Sequence, residues 1–283
     1  MTQPTRRAFM TGAAALIAAP SLLRAADPIR LGLTPVFLDN DAEVISHFQL
    51  ALGQGSGRGI ELSQRRTYQE VTGMLLEGSV DAAWLCGFPY LQHENVLSLI
   101  GVPLWRKAPL YQSYLIVGAE DAAQSLNDLR GGAHAFSDPD SNSGWLVTAS
   151  ELARMGERPE TFFQRSLFAY GHRNVVRAVA GGLTRSGSVD GYVWEALAKV
   201  EPSLTAQTRV IARSEMLGFP PFVTRRDRAG DAAVQALQQA LFGLSGTVEG
   251  QAALGLLQLD GVIAGEPALF DGIRARMRDV QGL

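Results

Sequence analysis

From residue 27 onwards the chain alternates short apolar runs with amphipathic stretches, and this alternation limits its folds more than any other feature. PIRLGLTPV reads as a strand that ends in a turn at Thr34 and Pro35. DAEVISHFQLALGQG reads as a helix closed by glycines, and IELSQRR as a second strand. In TYQEVTGMLLEG the positions Tyr68, Val71, Met74 and Leu75 share one helical face, and Gly78 is a natural stop. VDAAWLCG is a third, largely buried strand. Strands and helices that alternate at this spacing predict an α/β fold with a mostly parallel sheet.

The pattern then restarts. After the strong strand YQSYLIVGAED and the turn-rich SLNDLRGG come the strand AHAFSDP, the helix GWLVTASELARMG, the strand RSLFAYG and the helix RNVVRAVAGG. SGSVDGYVWEAL is a strand running into a helix, TRVIARSEMLGFPPFVTRRD holds two short strands around a bend, and the tail from Asp231 is helical. The tetrapeptide Gly78-Ser79-Val80-Asp81 returns as Gly187-Ser188-Val189-Asp190, each time after an amphipathic helix and before a buried strand. The echo predicts two lobes built alike, residues 27–117 plus 218–283 and residues 118–217, with crossings near 118 and 218. Two such lobes place a ligand cleft between the carboxyl ends of their sheets, closed by a hinge motion about the crossings.

Residues 1–26 stand apart as a signal peptide. Arg6 and Arg7 precede a moderately apolar run from Ala13 to Leu23, with Ala25 and Ala26 just before Asp27. The run is too short to span a bilayer. The order Thr5-Arg6-Arg7-Ala8-Phe9-Met10 resembles a twin-arginine export signal, which predicts a periplasmic protein sent out already folded. Its removal takes three arginines and no acids from the 25 basic and 28 acidic residues, leaving a net charge of −6. A chain so acidic binds anions through local donors, and with no basic block nucleic acid is not an expected partner. The single cysteine, Cys86, excludes an intramolecular disulfide framework and a cysteine-based zinc site, and the histidines at 47, 93, 134 and 172 lack metal-ligand spacing. No metal or other cofactor is expected. GQGSGRG at 53–59 fits neither a dinucleotide nor a P-loop spacing, and no G-x-S-x-G is present.

FSDPDSNSGWLVTASELARMG carries the sharpest local chemistry. A strand ends at Phe136, and Gly144 and Trp145 open a helix, so Ser141, Asn142 and Ser143 lie at or before a helix N-terminus. Unbonded N–H groups and the positive end of the helix dipole suit a tetrahedral oxyanion there. The plainer reading makes Ser143 an N-cap and the rest a surface turn.

FSDPDSNSGW resembles the Ser-Thr-Ser-Gly turn of the periplasmic phosphonate-binding proteins of ABC transporters, a family that includes phosphite binders. VDAAWLCGFPY is similar to that family's first-lobe strand and Gly-Pro-Tyr turn, GHRNVVRAVAGG to its His-led helix, and SVDGYVWEAL to its Val-Asp strand exit. LGFPPFVTRRD resembles its return crossing, and the likeness covers roughly residues 28 to 275. The resemblance implies a two-lobed type II periplasmic binding protein fold with a hinge and an interlobe cleft. It further implies that Ser141, Asn142 (in place of the usual threonine) and Ser143 bind the oxyanion. Tyr90 would reach it from the first lobe, joined by Tyr68 or Thr34. His172 would donate to an oxygen, and Asp190 would face a ligand ammonium or protonated oxygen. For each residue singly a structural role is the alternative: His172 could cap its own helix and Asp190 tie down a turn.

Cys86 has three readings: filler at a strand end, a thiol lining the cleft, or a ligand to a thiophilic oxyanion as in arsenite-sensing relatives of the family. The expected function is a monomeric solute-binding protein, not an enzyme, that delivers a phosphonate or phosphite-like oxyanion to an ABC permease. A sensor for a membrane histidine kinase is the alternative binding role. A hydrolase using Ser143 and His172 is the alternative from another class.

Overall fold

The computed structural model describes residues 27–35 and 42–282. The expected signal peptide and its twin-arginine motif lie outside them. Three sheets carry the strands. A six-stranded sheet holds β1 (Ile29–Leu33), β2 (Ile60–Gln64), β3 (Ala82–Trp84), β4 (Leu97–Leu104), β12 (Phe222–Arg225) and β13 (Gly261–Ile263) in the order β13-β4-β12-β3-β1-β2. A five-stranded sheet holds β6 (Ser113–Gly118), β7 (Ala133–Phe136), β8 (Arg165–Phe168), β9 (Ser186–Asp190) and β10 (Thr208–Arg213) in the order β10-β6-β9-β7-β8. Between them β5 (Leu110–Tyr111) and β11 (Leu217–Gly218) pair antiparallel as a two-stranded ribbon, formed where the chain crosses from one sheet to the other and back.

The sheets share one plan. In each, three parallel strands run in the order second, first, third: β2-β1-β3 and β8-β7-β9. The strand that follows a crossing, β12 or β6, then lies antiparallel beside the third. The expected mostly parallel sheet is therefore a mixed one in both lobes. Strand β6 pairs with β9 and β10, so a division by sheets groups Ser113–Gly118 with the second lobe, whereas the expected boundary gave all of it but Gly118 to the first. Strand β4 corresponds to a stretch to which the sequence reading assigned no element.

The tetrapeptide echo points to the right architecture in the wrong register. Gly78–Asp81 precedes β3, and the Asp81 carboxylate is held by the Arg30 guanidinium at 2.8 Å on the neighbouring strand. Gly187–Asp190 is itself strand β9. The residue equivalent to Asp190 is Cys86, because each is the N-cap of the helix that follows the third strand of its sheet.

The lobes are joined at their backs by the last helix, Asp271–Gln281. Arg276 is 1% exposed and donates to Glu215 on the second crossing and to Glu151 at 2.8 Å on the helix Val147–Arg154. Asp279 accepts from Ser150 at 2.8 Å and from Arg154 at 2.9 Å on that same helix. The other face of the C-terminal segment packs on the first lobe, where a Cβ on Gly87 would stand 2.6 Å from Ile273.

Packing beneath β9 is equally close. A Cβ on Gly187 would stand 2.5 Å from Val175 Cγ1 and 3.1 Å from Val179 Cγ2, both on the helix His172–Ala180. Overpacking of this kind typically costs about 1–3 kcal/mol. Gly187→Ala is therefore expected to lower the urea midpoint by that amount of stability, whereas Gly243→Ala, whose Cβ meets nothing within 4 Å, leaves it near the wild-type value.

Candidate functional site at the lobe interface

Helices start at the carboxyl ends of the parallel strands in both lobes, and their first turns meet. Tyr68 opens the helix Tyr68–Leu76 behind a capping box of Thr67 and Glu70. Its backbone N–H donates across the cleft to the Asp138 carboxylate at 3.1 Å. A second-lobe carboxylate thus sits on a first-lobe helix N-terminus, where the exposed N–H groups and the dipole favour it. Asp138 also accepts the Asp140 N–H at 2.8 Å.

The turn singled out from the sequence follows β7. Its N-cap is Ser141, whose hydroxyl accepts the Gly144 N–H at 2.9 Å, and not Ser143. The first turn, Asn142–Leu146, is wide: the Leu146 N–H reaches the Ser141 carbonyl and the Val147 N–H the Asn142 carbonyl, five residues back in each case. Such π-type turns leave the leading N–H groups outside the normal ladder and are frequent at functional sites. Gly144 is required here, since a Cβ would fall 1.8 Å from the Ser137 hydroxyl.

Two further contacts join the lobes at this seam. The Asn142 N–H donates to Cys86 Sγ at 3.3 Å. The Tyr68 hydroxyl and His172 Nε2 lie 3.1 Å apart. The Asp190 backbone N–H reaches His172 Nδ1 at 3.0 Å. An N–H can only donate, so Nδ1 accepts, and the neutral ring carries its proton on Nε2, which donates to the Tyr68 oxygen. The Tyr68 hydroxyl hydrogen is then available to another acceptor in the cleft. Burial keeps His172 neutral, with its pKa lowered to about 3. The same cause raises Asp190 to about 7, against the N–H bonds from Tyr192 and Val193 that cap its helix.

The structure brings together Tyr68, Cys86, Asn142, His172 and Asp190, with Ser141 and Ser143 in the adjoining turn. It does not bring in Tyr90. The expected Gly-Phe-Pro turn is the helix Gly87–Gln92, which carries the Tyr90 ring onto Phe270, centroids 5.2 Å apart. The charges that act on its hydroxyl are those of Glu94, Arg274 and Arg226, none of which belongs to the cluster. Thr34 ends β1 as expected, and its hydroxyl donates to the Trp84 carbonyl at 2.9 Å.

Two residues join that the sequence reading did not single out. Tyr111, on the crossing strand β5, receives the Asn142 Nδ2–H at 2.9 Å, and Asp138 makes the bond to Tyr68 described above. The sequence offers only an aromatic residue at the start of a strand and an acid in a turn, and neither signal distinguishes a site. At the mouth, Arg66 stacks over the Tyr170 ring at 5.4 Å, first lobe on second.

The hydrolase alternative lacks its geometry. Both His172 nitrogens are engaged with Tyr68 and the Asp190 backbone, and no carboxylate orients the ring toward Ser143. Among the described residues no group of three or more His, Cys, Asp or Glu side chains could hold a metal ion.

The Cys86 thiol is 2% exposed and burial pushes its pKa up to about 12, so it is a neutral thiol that accepts a hydrogen bond. Ellman's reagent is expected to leave it unmodified in the native protein and to titrate one thiol per chain in denaturant; rapid native labelling would contradict the packing. Asp190 gives a pH signature. Its folded pKa lies above the unfolded 3.8, so the cost of burying it appears as pH rises from about 4 to about 7 and is constant above. That cost is on the order of a few kcal/mol. Urea unfolding of Asp190→Asn, which keeps a capping oxygen, is expected to show a smaller loss of stability between pH 5 and pH 8 than the wild type.

A search of curated proteins finds no match to this sequence. Among solved structures, a binding protein component of an ABC phosphonate transporter from Pseudomonas aeruginosa superposes with a TM-score of 0.83 at 21% identity, over 90% of this chain and 87% of its own. PhnD1 from Prochlorococcus marinus in complex with methylphosphonate gives 0.80 at 16% identity, over 91% and 99%. The alkanesulfonate-binding protein SsuA from Xanthomonas axonopodis pv. citri bound to MOPS gives 0.61 at 18%, over 91% and 94%. At these identities the likeness establishes the two-lobed fold. The family model described as ABC transporter, phosphonate, periplasmic substrate-binding protein matches residues 31–270. The chain therefore belongs to the periplasmic phosphonate substrate-binding proteins of ABC transporters, a family of transport components and not of enzymes.

Proposed function

We propose that this chain captures a small tetrahedral oxyanion, a phosphonate or phosphite-like species, between its lobes and presents it to an inner-membrane ABC permease. The carrying observation is the meeting of helix N-termini from both lobes on one cluster, Tyr68, Cys86, Asn142, His172 and Asp190. Ser141 and Ser143 belong to the same binding turn, and Tyr111 and Asp138 complete it. Donors held at helix starts suit an oxyanion in a chain whose overall charge is negative. Closure turns on the ribbon β5–β11, with the lobes divided at that ribbon. Arg6 and Arg7 direct export of the folded protein to the periplasm through the twin-arginine route, and the mature protein acts as a monomer.

The methylphosphonate complex of PhnD1 supports this ligand class, and the MOPS complex of the alkanesulfonate-binding protein supports a neighbouring one. Cys86 supports a second reading, a receptor for a thiophilic oxyanion that signals to a membrane histidine kinase, because its sulfur lies in the interlobe contact.

Calorimetric titration of the mature protein against methylphosphonate, phosphite, phosphate, methanesulfonate and arsenite separates these readings. Phosphonate or phosphite is expected to bind. His172→Ala and Ser143→Ala are each expected to weaken binding by about 10- to 100-fold, the worth of one hydrogen bond to a charged group. Binding of arsenite alone, lost in Cys86→Ala, would support the receptor instead. Absence of binding by every oxyanion would overturn the ligand class and leave the fold standing.

A further inference from the structure

The Asn142 side chain is 0% exposed. Its Nδ2–H is spent on the Tyr111 hydroxyl at 2.9 Å, while its Oδ1 is buried without a partner in the protein. A buried acceptor left unpaired costs free energy that a donor from the ligand would return. Its surroundings are poor in positive charge. Among the described residues, the hydrogen bonds of Tyr68, Cys86, Asn142, His172 and Asp190 run to backbone groups, hydroxyls, an imidazole, a thiol and the Asp138 carboxylate, and none to a lysine or arginine. Arg66, two residues before Tyr68, is turned onto the Tyr170 ring. The titratable groups around the turn are Asp138, Asp140, Asp190, His172, Cys86 and the two tyrosines 68 and 111, with the Asp140 side chain bonded to Gln92 near His93. Glu151 further along the same helix and Asp279 on the C-terminal helix packed against it are engaged by arginines. A doubly charged ligand would thus meet carboxyl groups and no counter-ion.

We propose that Asn142 is a specificity-determining residue whose carboxamide oxygen accepts a hydrogen carried by the ligand, so that the cleft takes an oxyanion in its singly charged, OH-bearing form. The inference rests on the oxyanion reading above and deepens it. A hydrogen phosphonate or hydrogen phosphite meets the requirement. A sulfonate, which is singly charged with no hydrogen to give, does not. A threonine at this position would carry a hydroxyl able to donate as well as accept, whereas the carboxamide, with its N–H spent on Tyr111, makes the demand one-sided.

The test is calorimetric titration of the full mature chain from pH 5 to pH 9 with methylphosphonate, phosphite and methanesulfonate. Phosphite loses its second proton at lower pH than methylphosphonate. Affinity for each is expected to fall about tenfold per pH unit above that ligand's own second ionisation, with the break shifted between the two. Methanesulfonate is expected to bind at least tenfold more weakly than methylphosphonate at pH 5. Asn142→Thr is expected to narrow that difference and flatten the pH slope. A break at one pH for all three ligands would assign the effect to Asp190 and overturn the proposal, and Asp190→Asn would then abolish it. Affinity that is flat or rises with pH, or methanesulfonate bound as tightly as methylphosphonate, would also overturn it while leaving the oxyanion reading intact. Failure of all three to bind at any pH would overturn both, and the wild-type profile decides the matter even if the variant does not fold.

Discussion

Unbonded N–H groups at helix starts are the constraint around which this molecule is arranged. In each lobe the chain leaves a parallel strand and begins a helix at the carboxyl end of the sheet, so the orphan donors of several first turns gather at one seam. They are satisfied across the seam: Asp138 serves the Tyr68 N–H and Cys86 serves the Asn142 N–H. Others are met locally, as Asp190 and Ser141 meet the donors of their own helices. The contact between the lobes therefore draws on helix-start donors.

The pairing of Cys86 with Asp190 as N-caps of corresponding helices shows how two lobes of one plan come to differ. A carboxylate caps strongly and a thiol hardly at all, since sulfur is a weak acceptor. Asp190 accordingly turns onto its own helix, while Cys86 makes no side-chain cap and meets the opposite lobe. Around them the neutral His172, fixed in one tautomer by the Asp190 backbone, orients the Tyr68 hydroxyl. The result is a cluster in which each of these side chains is held in a fixed orientation.

The C-terminal helix connects this seam to the second crossing. Arg276 draws together that crossing and the helix whose first turn carries Asn142, while Ile273 and Phe270 press on Gly87 next to Cys86. Breaking a fully buried pair costs about 3–5 kcal/mol. Here Glu151 and Glu215 keep 43% and 49% of their side chains exposed, so water stabilises them in part and the ion pairs cost less to break.

The sequence by itself determined the two α/β rhythms and the turn at 141–143, because periodicity and helix-start chemistry act over a few residues. The ligand-binding roles expected of His172 and Asp190 came only from the family resemblance, and in the structure His172 meets the Tyr68 hydroxyl and Asp190 caps its own helix. The sequence left β4 unassigned, as Gly101 and Pro103 interrupt the apolar run, although Pro103 pairs there with Val262. Only the tertiary structure decided that Tyr111 and not Tyr90 meets Asn142. The β5–β11 ribbon brings residue 111 beside residue 142, whereas one helical turn after Cys86 carries Tyr90 onto Phe270. It likewise decided that Cys86, and not Asp81, answers to Asp190, since position relative to a strand end depends on pairing and not on a shared tetrapeptide. Local signals can say where a helix begins. Which side chains meet across a cleft is set by how two sheets are crossed and joined.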